Sequence, residues 1–345
     1  MSAKSNIEWC DATWSPVVGC TKVSPGCDHC YAETMSRRLS HNPKYALATK
    51  ADGTWSGVVS CHEDVLDQPL RWKKPRMIFV CSMSDLFHSQ VPWDFIVKVF
   101  DVMAATSWHT YQVLTKRPGR MAYFAEHIWP KQGGRWEPVR AMLWKCACGW
   151  SGNSVDLRPN PSGINTCPVC GGSGGLTATS WPGTAWPQNV WAGTSVESQK
   201  YAPRLECLAR VPARVRFVSV EPMLGPVDLR KWTCICQPCT FPRPNQNRCG
   251  SGIQWLICGG ESGPKARPMH PDWPRSLRDQ CQAAAVPFFF KQWGEWAPRD
   301  TMIGDPFGFS DWSGQKMVKV GKKAAGARLD GREWREMPQA TRGSC

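Results

Sequence analysis

The chain is defined first by what it lacks. No uninterrupted apolar run of about 18 residues occurs in its 345, so no membrane-spanning helix is expected and no membrane partner. The opening residues, Met1 to Glu8, are polar and hold no apolar core, so no secretion signal is expected and the reading is cytoplasmic. Acidic charge is short: 28 Asp and Glu stand against 42 Lys and Arg, a formal net charge of +14. With 20 Trp, that balance suits a nucleic-acid or nucleotide partner, because cations neutralise phosphate and aromatics stack on bases. A basic surface that only aids solubility is the plainer alternative. Hydrophobic residues make up 42%, which excludes a chain too polar to bury a core.

Cysteine, by contrast, is abundant at 18. In a small secreted protein this would read as a disulfide framework. Without a leader, and with the cysteines clustered at metal spacings, a reducing compartment with metal sites is the better reading. Cys20, Cys27 and Cys30 stand at C-x6-C-x2-C in the segment Gly19 to Glu33. Three thiolates can hold three irons of a [4Fe-4S] cluster and leave the fourth iron open to a small molecule. The spacing also admits a zinc knuckle completed by His29 or Cys10, or three unrelated thiols. Cys146 and Cys148 with Cys167 and Cys170 resemble the two knuckles of a zinc ribbon, a closed tetrahedral site. Cys234, Cys236, Cys239 and Cys249 form a less regular group, read as zinc or an auxiliary iron–sulfur cluster. The remaining cysteines read as small buried apolar residues; for Cys81 and Cys258, which end buried strands, an approach to the site is the alternative to a structural thiol.

Short apolar runs alternate with helical stretches, the pattern of βα units around a parallel sheet. Six runs are expected as strands, at Trp14 to Val18 and beginning at Met77, Thr110, Asn189, Val215 and Ile253. The fold class expected is α/β, a partial (β/α)6 TIM-type barrel with two cysteine-rich, zinc-binding-like insertions. Residues 1–144 form the first half of the barrel with the cysteine loop, 145–175 the zinc-ribbon-like insertion, and 176–231 the continued barrel. Residues 232–252 form the second insertion, 253–297 the last barrel strand and helix, and 298–345 a loose Gly- and Lys-rich tail. Each strand ends in polar residues, and in parallel barrels the site lies at the strands' carboxyl ends. Ser82, Ser84, Asp85, Thr115, Ser195, Glu197, Ser219 and Glu221 are therefore candidate cofactor contacts, joined by Glu261 and Ser262. Lys116, Glu221 and Lys291 are the candidate catalytic residues. Asp85 has a second reading as a helix cap, and Lys116 and Arg117 face either substrate phosphate or solvent.

Seven ordered segments, at 20–33, 82–88, 113–118, 193–197, 219–226, 259–269 and 289–295, carry a resemblance. Together they resemble the radical S-adenosylmethionine superfamily, and more narrowly a phage- and bacterium-encoded family with the C-x6-C-x2-C motif. The sequence departs from the superfamily in two ways. Three extra residues separate Cys20 from Cys27, and Ser82, Ser84 and Asp85 stand where a Gly-Gly-Glu is usual. The resemblance implies that Cys20, Cys27 and Cys30 hold a [4Fe-4S] cluster whose open iron binds S-adenosyl-L-methionine. It also implies a 5′-deoxyadenosyl radical, and an electron donor such as flavodoxin or ferredoxin. The phage setting implies host-cell cytoplasm and a nucleobase or base-linked substrate, modified or isomerised in DNA hypermodification, as an isomerase, transferase or lyase. Two alternatives remain: a nucleic-acid-binding protein that keeps its cluster for structure or sensing, and a radical enzyme acting on a peptide or small metabolite.

Overall fold

The computed structural model describes residue 5 and residues 7–129, 185–233, 252–299 and 317–338. It also describes short pieces at 144–145, 147–148, 151–152, 158–159, 165–166, 169–170 and 177–178. Seven strands form one sheet: β1 (Ala12–Trp14), β2 (Met77–Val80), β3 (Thr110–Thr115), β4 (Val190–Ser195), β5 (Arg216–Val220), β6 (Trp255–Gly259) and β7 (Phe288–Gln292). Every neighbouring pair is parallel, and the order across the sheet is the order along the chain. Between strands the chain forms α1 (Tyr31–Arg38), α2 (Trp93–Ala105), α3 (Pro118–Tyr123), α4 (Arg204–Leu208) and α5 (Asp272–Ala283). β1 and β7 do not pair, so the barrel is open.

The expected six strands become seven. Phe288–Gln292 pairs with β6 at the sheet edge, and its short run of three Phe before Lys291 is strand-length. The expected first strand, Trp14 to Val18, is two. Pro16 has no N–H to give a ladder, so β1 stops at Trp14, and Val17–Val18 pairs instead with Ser60–Cys61.

Side chains alternate across each strand, and this sorts the sheet's two faces. Ile78, Tyr111, Val113, Val218, Leu256 and Phe288 join the larger cluster beneath the helices, with Phe87, Phe100, Phe124 and Trp129. Phe79, Trp191, Phe217, Trp255 and Phe289 meet Trp9 on the other face. Trp9 lies 4.7 Å from Phe79 on β2 and 6.1 Å from Trp255 on β6, ring centroid to centroid. Strands four places apart in a flat sheet would be roughly 19 Å apart, so the sheet curls into a half-barrel around this aromatic plug. Trp255 is its hub, touching the rings of Trp9, Trp191, Phe217 and Phe289. Gly193 makes room for the plug: a Cβ there would stand 2.4 Å from the Phe217 ring.

The plug occupies the amino-terminal half of the interior. Two residues further along the same face, the side chains turn polar: Ser195 and Ser219, which are register partners, and Lys291. The carboxyl end of the half-barrel is thus a polar chamber above an apolar floor.

The segment expected as a loose tail is partly docked. Met317–Lys319 pairs with Trp296–Pro298, and Trp334 is buried. Trp334 and Glu336 exchange backbone hydrogen bonds with Phe290 and Phe288, covering the outer edge of β7. Among the described residues, no helix is long and apolar enough to cross a membrane.

Candidate functional site

Cys20, Cys27 and Cys30 lie on the loop that crosses the carboxyl end of the sheet, and three strand-end carboxylates hold that loop from three sides. After β2, Asp85 accepts hydrogen bonds from Thr115 Oγ1 (2.7 Å), Phe87 N (2.9 Å), Lys116 N (3.2 Å) and Arg117 Nη1 (2.8 Å). Arg117 then turns to the loop, donating from Nη2 to Thr21 O (3.0 Å) and Thr21 Oγ1 (2.9 Å), with Nη1 3.9 Å from Cys20 Sγ. His88 Nε2 meets the same Thr21 hydroxyl at 2.8 Å.

After β4, Glu197 is wholly buried. It accepts from Ser24 Oγ at 2.6 Å and from Arg204 Nη1 at 2.9 Å, and it pairs with Lys116. Burial raises the Glu197 carboxyl, but Lys116, Ser24 and Arg204 more than reverse it, leaving it below the ordinary range. After β6, Glu261 accepts from Arg267 N, Nε and Nη2 (2.8, 2.9 and 2.6 Å), and His29 Nδ1 lies at 3.1 Å. Arg267 also donates to Pro25 O (2.7 Å) and Asp28 (3.3 Å). Glu261 too is held low, its burial outweighed by Arg267 and His29.

The approach is close enough to demand glycine. A Cβ on Gly26 would stand 2.6 Å from Glu197 Oε1 and 2.8 Å from Lys116 Nζ. Cys30 is the N-cap residue of α1, without a side-chain capping hydrogen bond, and the backbone amides of Ala32 and Glu33 favour its thiolate. Burial pushes the Cys30 thiol up against those amides. Burial and Asp85 push the Cys20 thiol up to about 12. Thiols held this way ionise when a cation takes them, which is the donor chemistry an iron–sulfur cluster uses. Among the described residues, no three His, Cys, Asp or Glu side chains crowd together as a single ion requires. Ligands of a cluster each bind a separate iron and do not have to converge on one point. Three thiols on one loop are the donor type such a cluster takes.

In the chamber, Lys291 Nζ donates to Glu221 Oε1 at 2.6 Å, with both side chains less than a fifth exposed. Burial would lower the Lys291 ammonium, but Glu221, with Glu8 and Cys10, raises it. Lys291 is therefore a fixed cation rather than a ready base.

The candidates divide accordingly. Asp85, Thr115, Lys116 and Glu197 are brought together, but their polar atoms serve the loop. Ser84 Oγ donates to Val17 O (2.7 Å), and the Ser82 carbonyl accepts from Tyr31 Oη (2.6 Å). Arg117, expected at phosphate or solvent, instead bridges Asp85 to Thr21. Ser195, Ser219, Glu221 and Lys291 face the chamber, while Ser262 Oγ accepts from Gln292 at its edge. Ser24, Arg204 and Arg267 carry no sequence signal of their own, although Arg267 lies within the ordered segment 259–269, and His29, weighed above as a zinc ligand, stands instead against Glu261. Cys258 is buried against Met223 on the helix-covered face, and Cys81 is buried at the end of β2. Of the two inserted groups, Cys148 and Cys170 are exposed. Cys146, Cys167, Cys234, Cys236, Cys239 and Cys249 lie outside the described residues.

Fold and site together define an α/β protein with an open parallel half-barrel and a three-cysteine loop clamped across its carboxyl end. The chain belongs to the family described as "Protein of unknown function (DUF5131)", whose model matches residues 4–338. Among solved structures it is similar to a cysteine-to-serine mutant of spore photoproduct lyase, at 9% identity and a TM-score of 0.41. That likeness covers 82% of this chain and 75% of the other. No curated protein gives a significant match.

Proposed function

We propose that the protein is a radical S-adenosylmethionine enzyme that modifies or isomerises a nucleobase or a base-linked group. Hypermodification of phage DNA is the setting the sequence resemblance favours. One observation carries the reading most strongly. The chain ends three alternate strands, β2, β4 and β6, in carboxylates that meet one three-thiol loop over a polar chamber, Asp85 through Arg117, Glu197 through Ser24 and Glu261 through Arg267 and His29.

Cys20, Cys27 and Cys30 are the residues that would hold a [4Fe-4S] cluster. When bound, such a cluster supplies the single electron that cleaves the sulfonium C–S bond of S-adenosylmethionine and yields a 5′-deoxyadenosyl radical. The chain's own residues position and enclose. Asp85 with Arg117, Glu197 with Ser24, and Glu261 with Arg267 fix the loop. Ser195 and Ser219 offer hydroxyls to the chamber, and the Glu221–Lys291 pair presents a carboxylate and a fixed ammonium. The aromatic floor keeps water from entering from below, as radical chemistry requires. Zinc at Cys146, Cys148, Cys167 and Cys170, and zinc or a second cluster at Cys234, Cys236, Cys239 and Cys249, belong to the same proposal.

The test is anaerobic reconstitution with iron and sulfide, followed by S-adenosylmethionine and a strong reductant. Formation of 5′-deoxyadenosine is expected, with its loss in Cys27→Ala. A fully reconstituted protein that makes none would sink the proposal. A cluster with no cleavage would favour the DNA-binding, sensing alternative.

A further inference from the structure

A cleft of about 290 Å³ opens beside the cysteine loop, lined by Pro25, Lys200, Tyr201, Leu224, Arg267 and Pro268, among others. Its walls come from the loops after β4, β5 and β6 and from the cysteine loop itself. Pro25 begins the single helical turn that ends at Cys27. A ligand here therefore rests against the loop that carries the thiols.

The charges are unevenly committed. Arg267 is spent on Glu261, Asp28 and Pro25 O. Glu197 also lines the cleft, and its carboxylate is paired with two cations, Lys116 and Arg204. Lys200 is exposed, and among the described residues its interaction is with the Tyr201 ring, 5.9 Å away. The Tyr201 ring is half-buried, packed in part against the core, with the Arg204 guanidinium 4.5 Å from its centroid. The cleft thus offers an uncommitted ammonium next to an aromatic ring backed by a cation. An ammonium meets phosphate as a point charge, and an aromatic face accepts a base by stacking.

We infer that this cleft is a subsite for a phosphate-bearing nucleotide unit of the substrate, with Lys200 at the phosphate and Tyr201 under the base. The inference rests on the nucleobase reading above and gives it an address. A free nucleotide and a nucleic-acid strand share this chemistry, and the test separates them.

The experiment is fluorescence anisotropy of a labelled single-stranded oligonucleotide titrated with the full chain, with unlabelled nucleoside monophosphate and poly-glutamate as competitors. Lys200→Glu is expected to weaken binding several-fold and to reduce the salt slope by about 0.7, one lost phosphate contact on a single strand. Tyr201→Leu is expected to weaken it at least about fivefold through lost stacking. Lys323→Glu, an exposed charge on the docked C-terminal segment, serves as the control. An equal loss in Lys323→Glu would reduce the binding to general electrostatics and overturn the subsite. Equal displacement by poly-glutamate would overturn it as well, since carboxylates then suffice. Displacement by the monophosphate assigns a free nucleotide, and its failure assigns a strand; either requires the two cleft variants to lose affinity. Binding is read without a cluster, so failure here leaves 5′-deoxyadenosine formation standing, and the reverse also holds.

Discussion

Ser24 Oγ donates to Glu197 Oε1 at 2.6 Å across 173 residues of sequence. This bond ties the middle of the cysteine loop to the end of β4. The same carboxylate holds Lys116 and Arg204, so one buried anion answers to three elements.

Ser24→Ala and Glu197→Gln should therefore differ in kind. The first removes one hydrogen bond to a charged group, at a cost of about 1.5 kcal/mol. The second leaves Lys116 and Arg204 without their anion and should cost about 3 kcal/mol or more. Urea unfolding of the two variants measures both, and iron retained per chain after reconstitution should fall in the same order. A Glu197→Gln variant as stable as wild type would show that the clamp carries no weight.

Gly26→Ala has no free space for its methyl, which would stand within 3 Å of Glu197 and Lys116. Either the loop lifts away from β4 or the Glu197 and Lys116 side chains swing aside and break their pairing with Ser24 and each other. Reconstituted iron content should drop markedly while far-ultraviolet circular dichroism stays unchanged. Full cluster loading in this variant would mean the loop seats differently.

Arg117→Lys keeps the charge but not the fork that serves Asp85 and Thr21 together. A lysine cannot reproduce two-sided planar donation. The variant should be destabilised by about 1–2 kcal/mol, with Cys20 modified faster by a neutral thiol reagent. Unchanged Cys20 reactivity would separate Arg117 from the loop.

Acid should release the loop late. Glu197 and Glu261 are held below the ordinary carboxylate range by their cations, despite burial. A group whose folded pKa is lowered contributes stability above its unfolded value, about 4.3 for Glu, and loses it as pH falls through the folded value. Thiol accessibility, followed with an acid-tolerant pyridyl disulfide, should stay flat down to about pH 4.3 and rise below it. A rise already near neutrality would contradict the two clamps.

Trp255→Ala removes the hub of the aromatic floor, which touches four other rings. A cost of about 3–5 kcal/mol is expected from the transfer and cavity terms, measured by chemical denaturation. A loss under about 1 kcal/mol would mean that the floor repacks easily.

Much of the fold could be read in advance because each strand is a short apolar run with a polar end. That pattern located the starts of β2 to β6 to within two residues. β1 was misjudged where Pro16 interrupts the run, a signal present in the sequence. β7 was passed over because its three Phe run straight into a Trp-rich stretch with no break. The site was legible at the level of types rather than pairs. Spacing gave Cys20, Cys27 and Cys30, and strand ends gave Asp85, Glu197 and Glu261. It could not reveal that Arg267 reaches back to Pro25, or that Ser24 finds Glu197, since such contacts depend on the curl of the sheet. The same curl decided which strand-end residues face the chamber and which are spent on the loop.

The three clamps also set an order of assembly. Each needs a strand end that exists only once its part of the sheet has formed, and the last, at Glu261, lies over 200 residues beyond the cysteines. Contacts that distant form late, because loop closure must come first. The thiols therefore gather only on a nearly finished barrel. For the cluster protein proposed here, iron offered to the young chain would meet loose cysteines and iron offered afterwards a seated loop, which makes timing of delivery a determinant of yield.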